Sequence, residues 1–108
     1  MGLTDPNYHA HHLVPVELEN HPFVLKAKEA GWDINHAYNG VPVPARYHGE
    51  VPGHPVYNSD VDDKLNTLFF RSQKHGWTPE RVYEEIIVLD DQLRNRILTG
   101  IGRAAQQP

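Results

Sequence analysis

The chain has 108 residues, no cysteine and a net charge of −4 with its histidines neutral. That length suits one small domain with a modest core. The lack of thiols excludes disulfides and thiolate metal sites, leaving His, Asp, Glu or Asn to hold any metal. The acidic balance weighs against broad electrostatic capture of phosphates.

No stretch is long and apolar enough to span a bilayer. The opening MGLTDPNYHA lacks the charged and apolar regions of a secretion signal. Met1-Gly2 reads as a start placed before a fragment of a longer chain, which would put any targeting outside this sequence.

Nine prolines and eight glycines announce much irregular backbone. Residues 11–16 (HHLVPV) are a short strand candidate that Pro15 interrupts or ends. In HPFVLKAKEAGW, Pro22 suits a first helical position and Gly31 a C-terminal stop. Residues 32–40 read as a turn, with Asn39-Gly40 its strongest signal. GVPVPARY alternates as a second extended stretch. Tyr57, Val61, Leu65, Leu68 and Phe69 then recur at helical spacing, with Pro55 at the first position, His54 at or near the N-cap, and Gly76 as the stop. Thr78-Pro79-Glu80 opens a last helix striped by Val82, Ile86, Leu89, Leu93 and Ile97. That helix should end at Gly100 and leave a frayed AAQQP. The order strand, short helix, strand, helix, helix predicts a small α+β domain: a two-stranded ribbon with a helix in its connection, followed by helices.

Seven of the eight histidines precede residue 58. Strand alternation puts His9 and His11 on one face and His12 on the other, so His9 and His11 could clip a metal with partners elsewhere. A strand that ends near Pro15 would instead let His11 and His12 serve one site. Downstream, NGVPVPARYHGEVPGHPVYN adds Asn39, His48 and His54. His11, His48 and His54 are three possible imidazole ligands, and the sequence leaves open whether they form a closed structural site or an open catalytic one.

Ala10-His11-His12, the hydrophobic run with Pro15, Asn39-Gly40-Val41 and His54-Pro55-x-Tyr57-Asn58, in that order, resemble the AHH group of the HNH/endonuclease VII nucleases. These are typically toxin tips of bacterial secretion systems. The resemblance covers roughly residues 9–70. It implies a ββα-metal (HNH-like) finger, to which the residue pattern adds C-terminal helices, in a single domain over 1–108. The motif-bearing core would lie at about 9–75 and the C-terminal helix at about 79–99.

By position, the resemblance makes His12 the general base and Asn39 its catalytic support, bracing the ribbon to hold His12 in line. His11 and His54 become metal ligands, with His48 a third. The implied function is a metal-dependent endonuclease that hydrolyses DNA, with RNA as the second candidate substrate and Mg, Mn, Zn or Ni as cofactor. A cognate immunity protein is the implied partner, and the target-cell cytoplasm the place of action. The acidic balance departs from what a nuclease usually shows.

The chemistry needs these residue types. A neutral imidazole takes a proton from water, and a divalent ion neutralises charge on phosphorus and on the departing oxygen. Arg46 is the substrate-binding candidate, with Lys26 and Lys28 as further phosphate contacts. Asp60, Asp62 and Asp63 read as complements to a helix dipole, Trp32 and Trp77 as packing residues, and His9 as a phosphate contact or outer-shell group. His36 and His75 receive no role. The competing reading is a non-enzymatic, His-rich, metal-stabilised interaction module. His12 favours the enzyme, because a structural clip has no use for a second histidine beside its ligand. A weaker third reading is a relic that binds without cutting.

Overall fold

The computed structural model describes residues 8–106. The opening residues 1–7 and the last two of the expected frayed end lie outside the described residues. Two strands and three α-helices alternate as β1 (Tyr8–His12), α1 (Pro22–Glu29), β2 (Gly40–Pro44), α2 (Pro55–His75) and α3 (Pro79–Gln106). The architecture is α+β, as in HNH-like nuclease domains.

β1 and β2 pair antiparallel, with His9 opposite Val43, His11 opposite Val41 and His12 opposite Gly40. α1 sits in the connection between them and packs on α3 and α2. The core gathers the apolar stripes of all three helices with the ribbon: Phe23 and Val24 from α1, Val41 and Val43 from β2, Tyr57, Val61 and Leu65 from α2, and Val82, Ile86, Leu89, Leu93 and Ile97 from α3.

Three local expectations change. The first strand ends at His12, not at Val16, and Leu13, Val14 and Pro15 leave the ladder for the interior. Asn39-Gly40 is not a tight turn. Asn39 ends a short 3-10 segment (Ala37–Asn39), and Gly40 is extended at φ −108° and ψ 148°. Asn39 is there for its amide, as shown below.

The last helix does not stop at Gly100 but runs on to Gln106. The reason is packing: a Cβ at Gly100 would stand 2.6 Å from the Tyr47 hydroxyl oxygen. The glycine makes room for a ring instead of ending a helix. Gly76, by contrast, closes α2 at φ 62° and ψ 40°, in the left-handed region glycine tolerates.

The acidic trio also has a different setting. No acid stands in the first turn of α2. Asp60 instead pairs with Arg96 of α3 at 3.0 Å, and Arg96 also reaches Glu50 at 3.0 Å. Arg96 thereby ties α2 and the loop before it to α3.

Candidate active site

The end of β1 is fixed through the two residues that follow it. The Leu13 N–H donates to the Asn39 carbonyl at 2.7 Å, and the Leu13 carbonyl accepts from the Tyr57 hydroxyl at 2.5 Å. The Val14 N–H donates to Asn39 Oδ1 at 2.8 Å. Asn39 Nδ2 donates back to the Val14 carbonyl at 3.1 Å and to the Ile34 carbonyl at 2.8 Å. Leu13, Val14, Asn39 and Tyr57 are all fully buried. An unpaired main-chain group there would carry its whole desolvation cost, so the polar groups of Leu13 and Val14 are satisfied by one asparagine and one tyrosine. Asn39 does not touch His12; it holds the chain immediately after it.

Because the strand ends there, His11 and His12 both line one cleft of about 120 Å³, together with Pro15, Glu17, Pro52 and Gly53. His12 Nε2 lies 2.8 Å from Asn35 Oδ1. An amide oxygen only accepts, so the neutral ring carries its proton on Nε2 and keeps the Nδ1 lone pair. His11 is half-buried, opposite Val41. Burial holds its pKa below the usual histidine range, the Pro52 carbonyl works against that, and His9 and His12 add to it. A carbonyl beside one ring nitrogen is the arrangement that orients a metal-binding histidine. His9 is exposed.

Two residues to which the sequence reading gave no site role stand at the cleft. Glu17 lines it, and Asn58 Nδ2 donates to Glu17 Oε2 at 3.3 Å. Asn58 Oδ1 also accepts from the Gly53 N–H at 2.9 Å. Asn58 closes the His-Pro-x-Tyr-Asn stretch, so a signal for it was present. Glu17 and Asn35 carry no local signal.

His54 follows Gly53 and is the N-cap of α2, with Nδ1 accepting from the Val56 N–H at 3.2 Å. His21 caps α1 and His36 caps the 3-10 segment in the same way. This gives roles to two histidines the motif did not use. A neutral His54 that accepts at Nδ1 has its proton on Nε2, whereas ligation through Nε2 needs that proton on Nδ1. The cap bond and such ligation therefore exclude each other.

His48 is brought elsewhere, to a cavity it lines with Arg46, Tyr47 and Arg103. Lys26 and Lys28 stand in the last turn of α1. Trp32 is core and Trp77 packs against the core's edge, where Arg81 stacks 4.8 Å from its ring centre. Among the described residues, no three His, Asp or Glu side chains converge as a ready-made metal cage.

A two-stranded ribbon followed by a helix, with paired histidines at the ribbon's end and a capping histidine at the helix start, defines the class of HNH-like nuclease domains. The model of the AHH family, a nuclease family of the HNH/endonuclease VII superfamily with a conserved Ala-His-His, matches residues 2–96, and the chain belongs to that family. The match runs beyond the motif region into α3, as far as Arg96. Nucleases of this superfamily generally use a divalent metal ion. No curated protein and no solved structure matches the chain.

Proposed function

We propose that this chain is a metal-dependent endonuclease domain that hydrolyses DNA phosphodiesters, with His12 as the general base. The observation that carries the reading is the His12–Asn35 contact of 2.8 Å, which leaves Nδ1 as the proton acceptor of a ring that lines the same cleft as His11. His12 Nδ1 takes the proton of the attacking water, and Asn35 keeps the ring from turning. Asn39 and Tyr57 position both histidines by fixing Leu13 and Val14.

The donor chemistry suits an ion in part. His11 is desolvated and oriented, and the carboxylate of Glu17 shares its cleft. His54 would join them only by giving up its cap, a cost of about 1 kcal/mol. His11 and His54 would hold the ion, which when bound supplies neutralisation of the phosphate and of the departing oxygen.

The resemblance to toxin tips supports delivery into a target cell, with action in its cytoplasm and a cognate immunity protein in the producer. At a net charge of −4, the domain calls for an inhibitor that fits by shape or by a few groups, not for a strongly acidic nucleic-acid mimic. Recovery of a tight binder from the producing strain supports that partner, and recovery of none counts against it.

The deciding experiment incubates supercoiled plasmid with the domain and Mg²⁺, Mn²⁺, Zn²⁺ or Ni²⁺, beside a chelator control. Nicking that one of the ions supports and the chelator abolishes is expected. A domain that binds an ion yet cuts no nucleic acid with any of them would be an interaction module.

A further inference from the structure

The loop after β2 meets the end of α3 through a single ring. The Tyr47 N–H donates to the Pro44 carbonyl at 3.0 Å, which turns the chain out of the strand. A Cβ would lie 1.9 Å from the Tyr47 hydroxyl oxygen at Gly49 and 2.6 Å from it at Gly100. The tyrosine thus passes between two glycines, one on its own loop and one inside a helix. Gly100 costs helix stability, roughly 1 kcal/mol relative to alanine, and the close approach of Tyr47 is what that position provides. Its effect is to bring the two neighbours of Tyr47 in sequence, Arg46 and His48, to the same cavity as Arg103, which stands in the last turn of α3. The cavity measures about 370 Å³.

The charges around that cavity are distinctive. Arg81, Arg94 and Arg96 are each paired with a carboxylate. Arg46, Arg71 and Arg103 have no carboxylate partner among the described residues and all are exposed, but Arg71 shares its cavity with Asp60, Asp63 and Glu85, whereas Arg46 and Arg103 line theirs without an acid. In a chain of net charge −4, two unpaired guanidiniums and an imidazole gathered from two segments form a local basic site. Favourable placement at a helix C-terminus accounts for Arg103 alone. It does not account for Arg46 and His48, which a loop carries there.

We infer that Arg46, His48 and Arg103, set around Tyr47, form a phosphate subsite separate from the histidine cleft, and that its ligand is a backbone phosphodiester of the nucleic acid. The inference rests on the nuclease reading and deepens it. Guanidinium groups match phosphate oxygens in geometry as well as charge. A contact of this kind fixes the register of the strand without reading its sequence. It gives an acidic domain a way to hold a polyanion: a few aimed cations in place of a broad positive field.

The test measures anisotropy of a short fluorescein-labelled DNA duplex across a salt series, in EDTA so that nothing is cut. Arg46→Ala and Arg103→Ala should each weaken binding and lower the slope of log K against log salt by about 0.9, the contribution of one phosphate contact. Gly100→Ala should weaken binding with every charge intact, because its Cβ displaces Tyr47. Arg71→Ala removes an exposed arginine of α2 that lines a different cavity, and should leave the slope unchanged. Circular dichroism confirms that each variant is folded. Equal slopes for the wild type and both arginine variants overturn the subsite, as does an Arg71→Ala loss equal to that of Arg103→Ala. A wild-type domain that binds no duplex overturns the DNA substrate together with the subsite, whereas wild-type binding that the variants leave intact overturns the subsite alone.

Discussion

Asn39 and Tyr57 hold one stretch of chain from separate elements: the asparagine, just before β2, binds Leu13 and Val14, and the tyrosine binds Leu13 from the first turns of α2. The histidines that precede Leu13 are therefore set in place by contacts they do not make themselves. Asn39→Ala would leave the Val14 N–H and the Val14 and Ile34 carbonyls buried without those partners. At about 1–3 kcal/mol for each orphaned group, a loss of several kcal/mol is expected. Tyr57→Phe orphans one buried group, the Leu13 carbonyl, and should cost about 1–3 kcal/mol. Thermal unfolding of the two variants gives the order, and a Tyr57→Phe loss larger than that of Asn39→Ala would contradict it.

His12 and Asn35 should fail together but unequally. His12→Ala is expected to keep the fold and lower plasmid cutting on the order of 10²–10⁴-fold, the usual worth of a general base. Asn35→Ala leaves the base in place but frees its ring and its tautomer, so a smaller loss and an altered pH profile are expected. His9→Ala should change little, since His9 is exposed. Normal cutting by His12→Ala would remove the mechanism.

His11 and His54 can be separated by the cap. His54→Ser keeps an N-cap acceptor for α2 and removes the imidazole, while His54→Ala removes both, at a further cost of about 1 kcal/mol. If His54 is a ligand, both variants lose Mn²⁺ or Zn²⁺ affinity in calorimetry and only His54→Ala loses stability. His11→Ala should weaken metal binding, and added metal should recover part of its activity. Full metal affinity in His54→Ser would leave His54 as a cap alone.

Asp90 gives stability a pH dependence. Its carboxyl is fully buried in α3, and neither oxygen has a hydrogen-bond partner among the described residues. Burial pushes its pKa up to about 8 and Asp91 adds to that, against the opposing pull of Arg94 and the Trp32 indole. The folded chain therefore binds a proton that the unfolded chain releases near pH 4. The contribution of Asp90 is complete below about pH 4, falls as pH rises from there, and levels off above about pH 8. Asp90→Asn should raise the melting temperature at pH 7 by several degrees and leave it nearly unchanged at pH 4. A variant equally destabilised at both values would show that the carboxylate is held by partners instead.

The sequence by itself determined the element order, the helix starts at Pro22, Pro55 and Pro79, the stop at Gly76 and the apolar stripes. These depend on local rules: proline lacks an N–H, glycine tolerates positive φ, and a helix repeats every 3.6 residues. It also supplied the Ala-His-His and His-Pro-x-Tyr-Asn stretches that carry the family. Tertiary structure alone decided what those residues touch. Asn39 looked like a turn residue, because its three side-chain hydrogen bonds go to groups distant or buried only after folding. Gly100 looked like a stop, because the ring that needs its missing Cβ comes from another segment. Asn35 and Glu17 reach the histidine cleft, and His48 joins Arg103 instead, because a ribbon whose strands are separated by a helix brings together side chains that no sequence spacing relates. Local preference is encoded residue by residue, whereas a site is a relation between segments that only packing creates.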